Sequence, residues 1–338
     1  MRQGMSGQEY ISRERLEQAL NSIDQVRVGV LGDFCMDMYW HADMTRSVLS
    51  RETPHFPLPV MSEVVSPGAA GNVAANIAAL KPRSLTVLGV IGKDWRGNML
   101  KAALDNLGAK NMLIESDGRV TNAYIKPMLH GYGEAVQEAA RLDFENDQAI
   151  SARAEDQLIE AIQAAAKELD VLCVCDQMVN GCVTARVREC VMQLSKNGLK
   201  VIVDSRSNIA LYQQVIVKPN ELEAANALDG MNDPETACRM LAQRNGKPAI
   251  VTVGEMGCYL SDGQSVQHIE AYPAKPPFDI CGAGDTFLSA FACVYGGGAD
   301  FSDAARLGNM ASSITIRKLG MTGTASREEI RAICCLPE

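Results

Sequence analysis

Short apolar runs alternate along this chain with longer segments of helical periodicity, and this alternation constrains the fold more than any other sequence feature. The apolar runs cover residues 26–31, 85–90, 171–175, 200–203, 215–217 and 249–253. The helix-like segments cover residues 70–80, 96–107, 154–169, 182–196, 284–293 and 301–318. Strands that are apolar on both faces and are separated by helices predict a mainly parallel sheet covered on both sides. We therefore expect an α/β fold with three layers.

Two stretches, residues 36–60 and 120–145, interrupt this alternation. The first combines β-type residues with Pro54, Pro57 and Pro59, and the second alternates loosely between apolar and polar residues. We interpret both as strands of a small β lid over the ligand edge of the main sheet. Two long surface loops are the alternative, although long loops without structure are uncommon in compact domains.

Length and charge narrow the domain organisation and the class of partner. The 338 residues, with 47% hydrophobic and 22% charged residues, have globular composition. We expect an N-terminal extension over residues 1–20, helical or frayed, and one domain over residues 21–338. The net charge of −9 argues against nucleic-acid and anionic-membrane partners, because no overall positive field attracts polyanions. Residues 1–19 hold no apolar signal core, and no window reaches the roughly 18 apolar residues of a membrane span, so we expect a cytoplasmic protein.

The 11 cysteines are interpreted as reduced thiols, most of them buried. Cys173 and Cys175 are two residues apart in an apolar run, which places them on the same side of a strand. A structural zinc site is the alternative, but no second C-x-x-C lies near either cysteine pair and the four histidines are scattered.

Polar residues follow the predicted strands, where ligands of parallel sheets bind. They are Asp33, Asp94, Asp176, Asp204, Asn220 and Thr252. The sequence has no G-x-G-x-x-G after the first strand and no G-x-x-x-x-G-K-[ST]. A Rossmann dinucleotide site and a P-loop are therefore disfavoured.

The segment from Asp279 to Asp285 (DICGAGD) carries the sharpest chemical signal. Three small residues precede an acid at the start of a predicted helix. Small residues let backbone N–H groups approach an oxyanion, and the helix N-terminus adds positive potential. Such a nest stabilises the charge of a phosphoryl group in transfer, and Asp285 beside it is suited to accept a proton from a hydroxyl. The alternative is a Gly-rich turn with an ordinary Asp near the helix cap.

Six blocks, in order over residues 26–326, resemble the PfkB family of carbohydrate kinases. The DICGAGD segment resembles its C-terminal signature at five of seven positions, and residues 67–74 (PGAAGNVA) resemble its N-terminal signature. The remaining blocks are Gly32-Asp33 with Asp37, residues 89–94 with Gly97, residues 220–223, and residues 252–257. Ala69, Lys81, Ile280 and Cys281 depart from the family pattern, but none of them removes the acid or the small-residue turn. The resemblance implies a ribokinase-like fold.

The resemblance also implies a role for each candidate site residue. Asp285 would be the catalytic base, and the amides of Gly282, Ala283 and Gly284 would form the anion hole. Asn220 and Glu223 would position Mg²⁺ and its waters, and Thr252, Gly254, Gly257 and Asn309 would line ATP. Asp37, Gly68 and Asn72 would hold the sugar. Ordinary structural roles stay open for three of them: Asp37 as a surface acid, Asn72 as a helix cap and Glu223 as part of a solvated helix face.

Lid residues narrow the substrate class. Residues 39–60 and 141–145 resemble the lid of the kinase half of bacterial heptose-phosphate kinase/adenylyltransferase enzymes. Arg51, Arg141 and Lys93 are cations suited to an anionic substrate such as a sugar phosphate, with ordinary surface charge as the alternative. Because the sequence stops near residue 338, we expect a stand-alone kinase.

We therefore expect an ATP- and Mg²⁺-dependent kinase of a sugar or sugar phosphate, with monovalent-cation activation left open. A catalytically weak sugar- or nucleotide-binding regulatory protein and a nucleoside kinase are the alternatives. A homodimer that pairs through the lids is expected as well, because small exposed sheets tend to pair at their edges.

Overall fold

The computed structural model describes residues 11–320 and 322–334, which form two sheets and the helices around them. The strands are β1 (Arg27–Gly32), β2 (Phe34–Asp43), β3 (Val60–Ala69), β4 (Ser84–Gly92), β5 (Lys110–Ser116), β6 (Asn122–His130), β7 (Val136–Glu138), β8 (Leu142–Phe144), β9 (Val171–Asp176), β10 (Lys200–Ser205), β11 (Ile216–Val217), β12 (Ala249–Thr252), β13 (Cys258–Ser261) and β14 (Val266–Ile269). The α-helices are α1 (Arg13–Ser22), α2 (Ala70–Ala79), α3 (Trp95–Asn106), α4 (Ala152–Ala166), α5 (Ala185–Lys196), α6 (Glu221–Ala227), α7 (Pro234–Asn245), α8 (Ala283–Gly296), α9 (Phe301–Thr315) and α10 (Arg327–Cys334).

The main sheet has nine strands in the order β14-β13-β12-β11-β10-β9-β1-β4-β5. Every neighbouring pair is parallel except β12–β13 and β13–β14. Parallel strands need crossover connections, and the helices provide them. The predicted α/β fold with a mainly parallel sheet is confirmed.

Alternate residues of the central strands belong to two separate apolar cores, one on each face of the sheet. On β1, Val28 and Val30 join the core formed with α1, α2, α8, α9 and α10, whereas Leu31 joins the core formed with α4, α5 and α7. Cys173 and Cys175 of β9 both lie in the first core, as predicted. The nine described cysteines from Cys35 to Cys293 are free thiols.

A second sheet forms the lid: β3-β2-β6-β7, with β8 paired to β6. The predicted smaller sheet therefore exists, but its boundaries differ from those expected. Residues 47–59 form no strand, in keeping with prolines at 54, 57 and 59 that lack the N–H a ladder needs. Strand β3 begins only at Val60, where the expected segment ends, and it extends to Ala69.

Helix α1 packs into the body of the protein. Leu16 and Leu20 are fully buried in the core against the main sheet, and Arg15 forms ion pairs with Asp300 and Asp303. Residues 11–20 thus form neither a frayed end nor a separate unit, while residues 1–10 of the expected extension lie outside the described residues. Within the part of the chain that the structure describes, no helix is long and apolar enough to cross a membrane.

Candidate active site

Asp285 lies in the first turn of α8, directly after a sharp turn at Gly282. Gly282 has a left-handed backbone with φ 77°, and a Cβ atom there would lie 2.7 Å from Nδ2 of Asn72. Only glycine is free of strain in that conformation and in that space. The turn therefore brings the start of α8 against α2, which carries Asn72.

The start of α8 presents backbone donors, as expected of an anion-binding turn. The amides of Gly284 and Asp285 have no hydrogen-bond partner among residues 11–320 and 322–334. The amide of Ala283, by contrast, donates to the Ile280 carbonyl at 3.2 Å. Of the three amides predicted for the anion hole, those of Gly282 and Gly284 are therefore available, that of Ala283 is engaged, and the Asp285 amide is a further available donor.

A chain of side-chain amides orients the Asp285 carboxylate. Nδ2 of Asn72 donates to Oδ2 of Asp285 at 2.7 Å, and Nδ2 of Asn76 donates to Oδ1 of Asn72 at 3.2 Å. The Thr286 hydroxyl donates to Oδ1 of Asn76 at 3.1 Å. The sequence resemblance assigns Asn72 to the sugar, but its amide nitrogen is bonded to the predicted base. Asn76, which the sequence analysis missed, is its partner one helical turn later.

The surroundings tune the pKa of Asp285 toward neutrality. Burial raises that pKa to about 6, and the negative charge of Asp204 adds to the rise. The hydrogen bond from Asn72 and the charge of Lys218 act in the opposite direction. A carboxylate with such a pKa is mostly ionised at neutral pH and still basic enough to take a proton from a hydroxyl during transfer.

Lys218 is a buried cation next to the turn that precedes α8, and sequence analysis missed it. Its Nζ lies 3.0 Å from Oδ2 of Asp204, and a Cβ atom at Gly284 would lie 3.7 Å from the same Nζ. The sequence did contain a signal for Lys218, because it directly follows the apolar residues 215–217. A lysine buried at the end of a strand needs an ion-pair partner or a function.

The predicted metal residues Asn220 and Glu223 form a capping box at the start of α6. Oδ1 of Asn220 accepts the Glu223 amide at 2.8 Å, and Oε2 of Glu223 accepts the Asn220 amide at 2.9 Å. Burial and the charge of Asp204 raise the pKa of Glu223. A divalent cation bound to Glu223 and Asp204 would offset the repulsion between their negative charges, so this pair of carboxylates fits Mg²⁺.

The residues present would hold Mg²⁺ through few direct protein ligands. No cluster of three or more His, Cys, Asp or Glu side chains suited to a metal exists among the described residues. Mg²⁺ is commonly held by one or two carboxylates, with waters and substrate phosphates completing the shell. Glu223 and Asp204 are the residues that would hold it here, and Asn220 orients Glu223.

Two of the predicted nucleotide residues, Gly257 and Asn309, lie against the segment that follows β14. Gly257 has φ 94°, and a Cβ atom there would lie 2.1 Å from the Ile269 carbonyl oxygen. Nδ2 of Asn309 donates to the carbonyls of Ile269 and Glu270 at 3.2 and 2.9 Å. Asn309 is buried and fixes this segment with the donors that were expected to reach ATP. Gly254, with φ 56°, has open space at its Cβ position.

Thr252 connects the nucleotide residues with the metal residues. Its amide donates to the Pro219 carbonyl at 3.0 Å, and it forms an isolated parallel bridge with Asn220. The end of β12 and the start of α6 therefore lie side by side at the carboxyl edge of the main sheet, where ligands of parallel sheets bind.

The predicted sugar residues Asp37 and Gly68 meet on the lid. A Cβ atom at Gly68 would lie 2.5 Å from Oδ2 of Asp37, so only glycine permits this approach. Burial raises the pKa of Asp37, while Lys126 and Arg141 lower it. The carboxylate thus lies in a partly dry environment with positive charge nearby.

The cations predicted to meet an anionic substrate are placed less favourably. Nε and Nη2 of Arg141 each lie 2.6 Å from the Asp143 carboxylate, and Lys93 lies 3.6 Å from Asp117. Arg51 is exposed in the part of the lid that forms no strand. Their roles stay predictions.

Asp33, in the family-like block that begins at Gly32, is bonded to the loop after β9. Its buried carboxylate accepts the backbone amides of Gln177, Met178 and Cys182 at 2.9, 2.8 and 2.7 Å. Gly181 lies so close to this carboxylate that a Cβ atom would overlap it. Asp33 therefore fixes the loop after β9 rather than binding a ligand.

The chain is similar in sequence to known proteins. The sequence matches the pfkB family of carbohydrate kinases over residues 59–328. It is 30% identical to the bifunctional protein HldE of Geobacter sulfurreducens over 95% of this chain, and 32% identical to HldE of Bradyrhizobium diazoefficiens over 89%. The chain spans 65% and 61% of the length of these two relatives.

Solved structures share the fold. Phosphofructokinase-2 from Escherichia coli, in complex with fructose-6-phosphate, superimposes with a TM-score of 0.70 at 20% identity, covering 91% of this chain and 98% of that one. Ribokinase from Arabidopsis thaliana, complexed with ribose and ATP, gives 0.68 at 18% identity, with coverages of 93% and 100%. These likenesses confirm the ribokinase-like fold. With the family match over most of the chain, they lead to one conclusion: the chain belongs to the pfkB family of carbohydrate kinases.

Proposed function

We propose that this protein transfers the γ-phosphoryl group of ATP to a hydroxyl of a sugar or sugar phosphate, with Asp285 as the base. The observation that carries the proposal is the Asp285 carboxylate, held by Asn72 at 2.7 Å beside the unpaired amides at the start of α8. One group accepts a proton there while its neighbours bind negative oxygens, which is the combination that phosphoryl transfer needs.

The reaction balances with the groups present. The acceptor oxygen forms a bond to the γ-phosphorus, the bond from that phosphorus to the bridging oxygen breaks, and ADP leaves. The hydroxyl proton passes to Asp285. The amides of Gly284 and Asp285 and the Lys218 ammonium stabilise the charge of the transferred group. Mg²⁺, held by Glu223 and Asp204, would neutralise the nucleotide phosphates.

Sugar phosphates are the acceptors that we propose first. The lid resemblance and the fold shared with phosphofructokinase-2 in complex with fructose-6-phosphate support this class. A heptose phosphate is one candidate among them. The large share of buried thiols also suits the reducing cytoplasm, where we place the activity.

A substrate panel tests the function. Purified protein is assayed for ADP release with ATP, Mg²⁺ and pairs of sugars and sugar phosphates that include heptoses. We expect turnover with at least one acceptor, and loss of more than about a thousandfold in kcat for Asp285→Asn with retained ATP binding. Asp156→Asn, at an exposed acid of α4, is the matched control. Absence of turnover with every acceptor, or near-normal kcat in Asp285→Asn, contradicts the proposal.

We also propose that two copies associate through their lids. Strand β3 is an edge of the lid sheet, and it exposes Val60, Met61 and Val64 by 44, 55 and 42%. Val136 and Leu142 of the lid are exposed by 51 and 45%. Several exposed apolar residues on one small sheet support a protein-protein contact there.

A further inference from the structure

A cavity of about 320 Å³ lies between the lid and the carboxyl ends of β9 and β10. Asn122 and Tyr124 of β6 line it from the lid, and the turns that follow β9 and β10, with Gln177 and Arg206, line it from the body. None of these four residues belongs to the predicted site. Because the cavity lies at the carboxyl edge of a parallel sheet, it is suited to a ligand.

The cavity borders the side of the lid that carries Asp37. Asp37 of β2 and Tyr124 of β6 are paired positions in neighbouring parallel strands, so their side chains lie on the same face of the lid sheet. Tyr124 is also in the cavity wall. An acceptor that contacts Asp37 with one end therefore has this cavity available for its other end.

The cavity walls are fixed by buried carboxylates. Asp33 holds the loop from Gln177 to Cys182 through three backbone amides. Oδ2 of Asp176 accepts the Ser205 hydroxyl at 2.9 Å and Nδ2 of Asn208 at 3.0 Å, and the Asp176 carbonyl accepts the Arg206 amide at 3.1 Å. The turn that carries Arg206 is thus held in place before any ligand arrives, which lowers the entropy cost of binding.

Arg206 is the cation that this turn presents to the cavity. No residue in the described ranges forms a hydrogen bond or an ion pair with its guanidinium, and its side chain is exposed. Other arginines nearby are engaged: Arg119 donates to the carbonyls of Gln148 and Asn180, and Arg188 lies 3.9 Å from Asp176. Burial is the main cause that raises the pKa of Tyr124, and the charge of Arg206 opposes it, as expected for neighbouring groups.

We propose that Arg206, with the adjacent Ser207, binds an anionic group at the non-reacting end of the acceptor and thereby selects a sugar phosphate over the neutral sugar. The planar guanidinium matches phosphate geometry, and Ser207 adds a hydroxyl donor. This inference rests on the proposed function, because it concerns the acceptor of that same reaction.

The test measures binding and turnover separately. Titration calorimetry compares fructose with fructose-6-phosphate, a heptose with its terminal phosphate ester, and glucuronate as a carboxylate probe. Arg206→Met is compared with Arg83→Met, which removes an exposed arginine just before β4, at the opposite edge of the sheet. Steady-state phosphoryl transfer is then measured with each acceptor that turns over.

We expect Arg206→Met to weaken binding of a phosphate ester about 10- to 100-fold, as loss of a charge-assisted hydrogen bond does. Binding of the neutral sugar stays within about twofold, kcat changes less than KM, and Arg83→Met behaves as wild type. If glucuronate binds better than the phosphate ester and depends on Arg206, the anion site holds with a carboxylate as its ligand.

Two results overturn the inference: a phosphate ester that binds equally well to wild type and Arg206→Met, and equal weakening of neutral sugar and ester. Failure of every anionic probe to bind wild type overturns it too. Arg206-dependent ester binding without ATP turnover contradicts the proposed function while the anion site stands. ATP turnover that is the same in wild type and in Arg206→Met contradicts the anion site, while the proposed function stands.

Discussion

The protonation of Asp285 depends on burial and the charge of Asp204, which raise its pKa, and on Asn72 and Lys218, which lower it. With a pKa of about 6, the carboxylate is protonated in acid and is then unable to accept the hydroxyl proton. We expect kcat/KM for the acceptor to rise about tenfold per pH unit below that pKa and to level off above it. Measurement between about pH 5 and 8 with saturating ATP checks this, and a flat profile contradicts the role of Asp285 as base.

Asn72→Ala sharpens this measurement. The variant removes the hydrogen bond that lowers the pKa of Asp285, so the inflection moves to higher pH. Asn106→Ala, at an exposed residue near the end of α3, leaves it in place. An unchanged inflection in Asn72→Ala would show that the rise in rate belongs to another group.

The raised pKa of Asp285 also lowers the free energy of unfolding at neutral pH. The folded carboxyl has a pKa of about 6, against roughly 3.9 for an unfolded chain, so the folded state binds more protons between these values. Stability therefore falls as pH rises from about 4 to 6. We expect Asp285→Asn to be more stable than wild type by roughly 2 kcal/mol at pH 8 and by little near pH 4. Urea unfolding at both pH values measures this, and equal gains at both contradict it.

Helix caps explain where the sequence analysis misplaced element boundaries. The segment 182–196 was expected to be helical throughout, but α5 begins at Ala185 because the Thr184 side chain accepts the Val187 amide. Helix α4 begins at Ala152, two residues earlier than expected, because Ser151 caps it.

Strands β5, β13 and β14 were missed, since these outer strands lack the continuous apolar pattern of the central strands.

The loop between β12 and β13 offers a test at the level of one element. Gly257→Ala adds a methyl group that would lie 2.1 Å from the Ile269 carbonyl, in a backbone with φ 94°. We expect it to displace the segment that Asn309 holds, to raise KM for ATP several-fold and to cost about 2 kcal/mol or more in stability.

Gly263→Ala separates backbone strain from the steric clash. Gly263 has nearly the same φ, 93°, but its nearest neighbour lies 3.4 Å from the added Cβ. This control therefore costs about 1 kcal/mol and leaves KM for ATP unchanged. If the two variants behave alike in ATP kinetics, the close approach of Gly257 has no part in the nucleotide site.

Across the whole molecule, local patterns predicted the layers, and contacts between distant segments decided the site. The apolar runs predicted the parallel sheet, and the DICGAGD segment predicted the turn before α8. The bond from Asn72 to Asp285 joins residues 213 positions apart, and Lys218 reaches Gly284 across the sheet edge. No local sequence pattern predicts contacts between residues so far apart in the chain. For the same reason Arg206 escaped notice, whereas Arg141 was expected to be available and is paired with Asp143.

Association through the lids is the prediction that belongs to the whole molecule. The exposed apolar residues of β3 would be buried between two copies, so a charge among them should oppose pairing. We expect the wild type to sediment as a dimer at micromolar concentration and Met61→Glu to weaken the dimer about a hundredfold or more. Met240→Glu, at an exposed methionine of α7 on the body, is the matched control and stays dimeric. A monomeric wild type, or a Met61→Glu variant that remains as tightly paired as the control, refutes the lid interface, because a glutamate buried against apolar partners costs several kcal/mol.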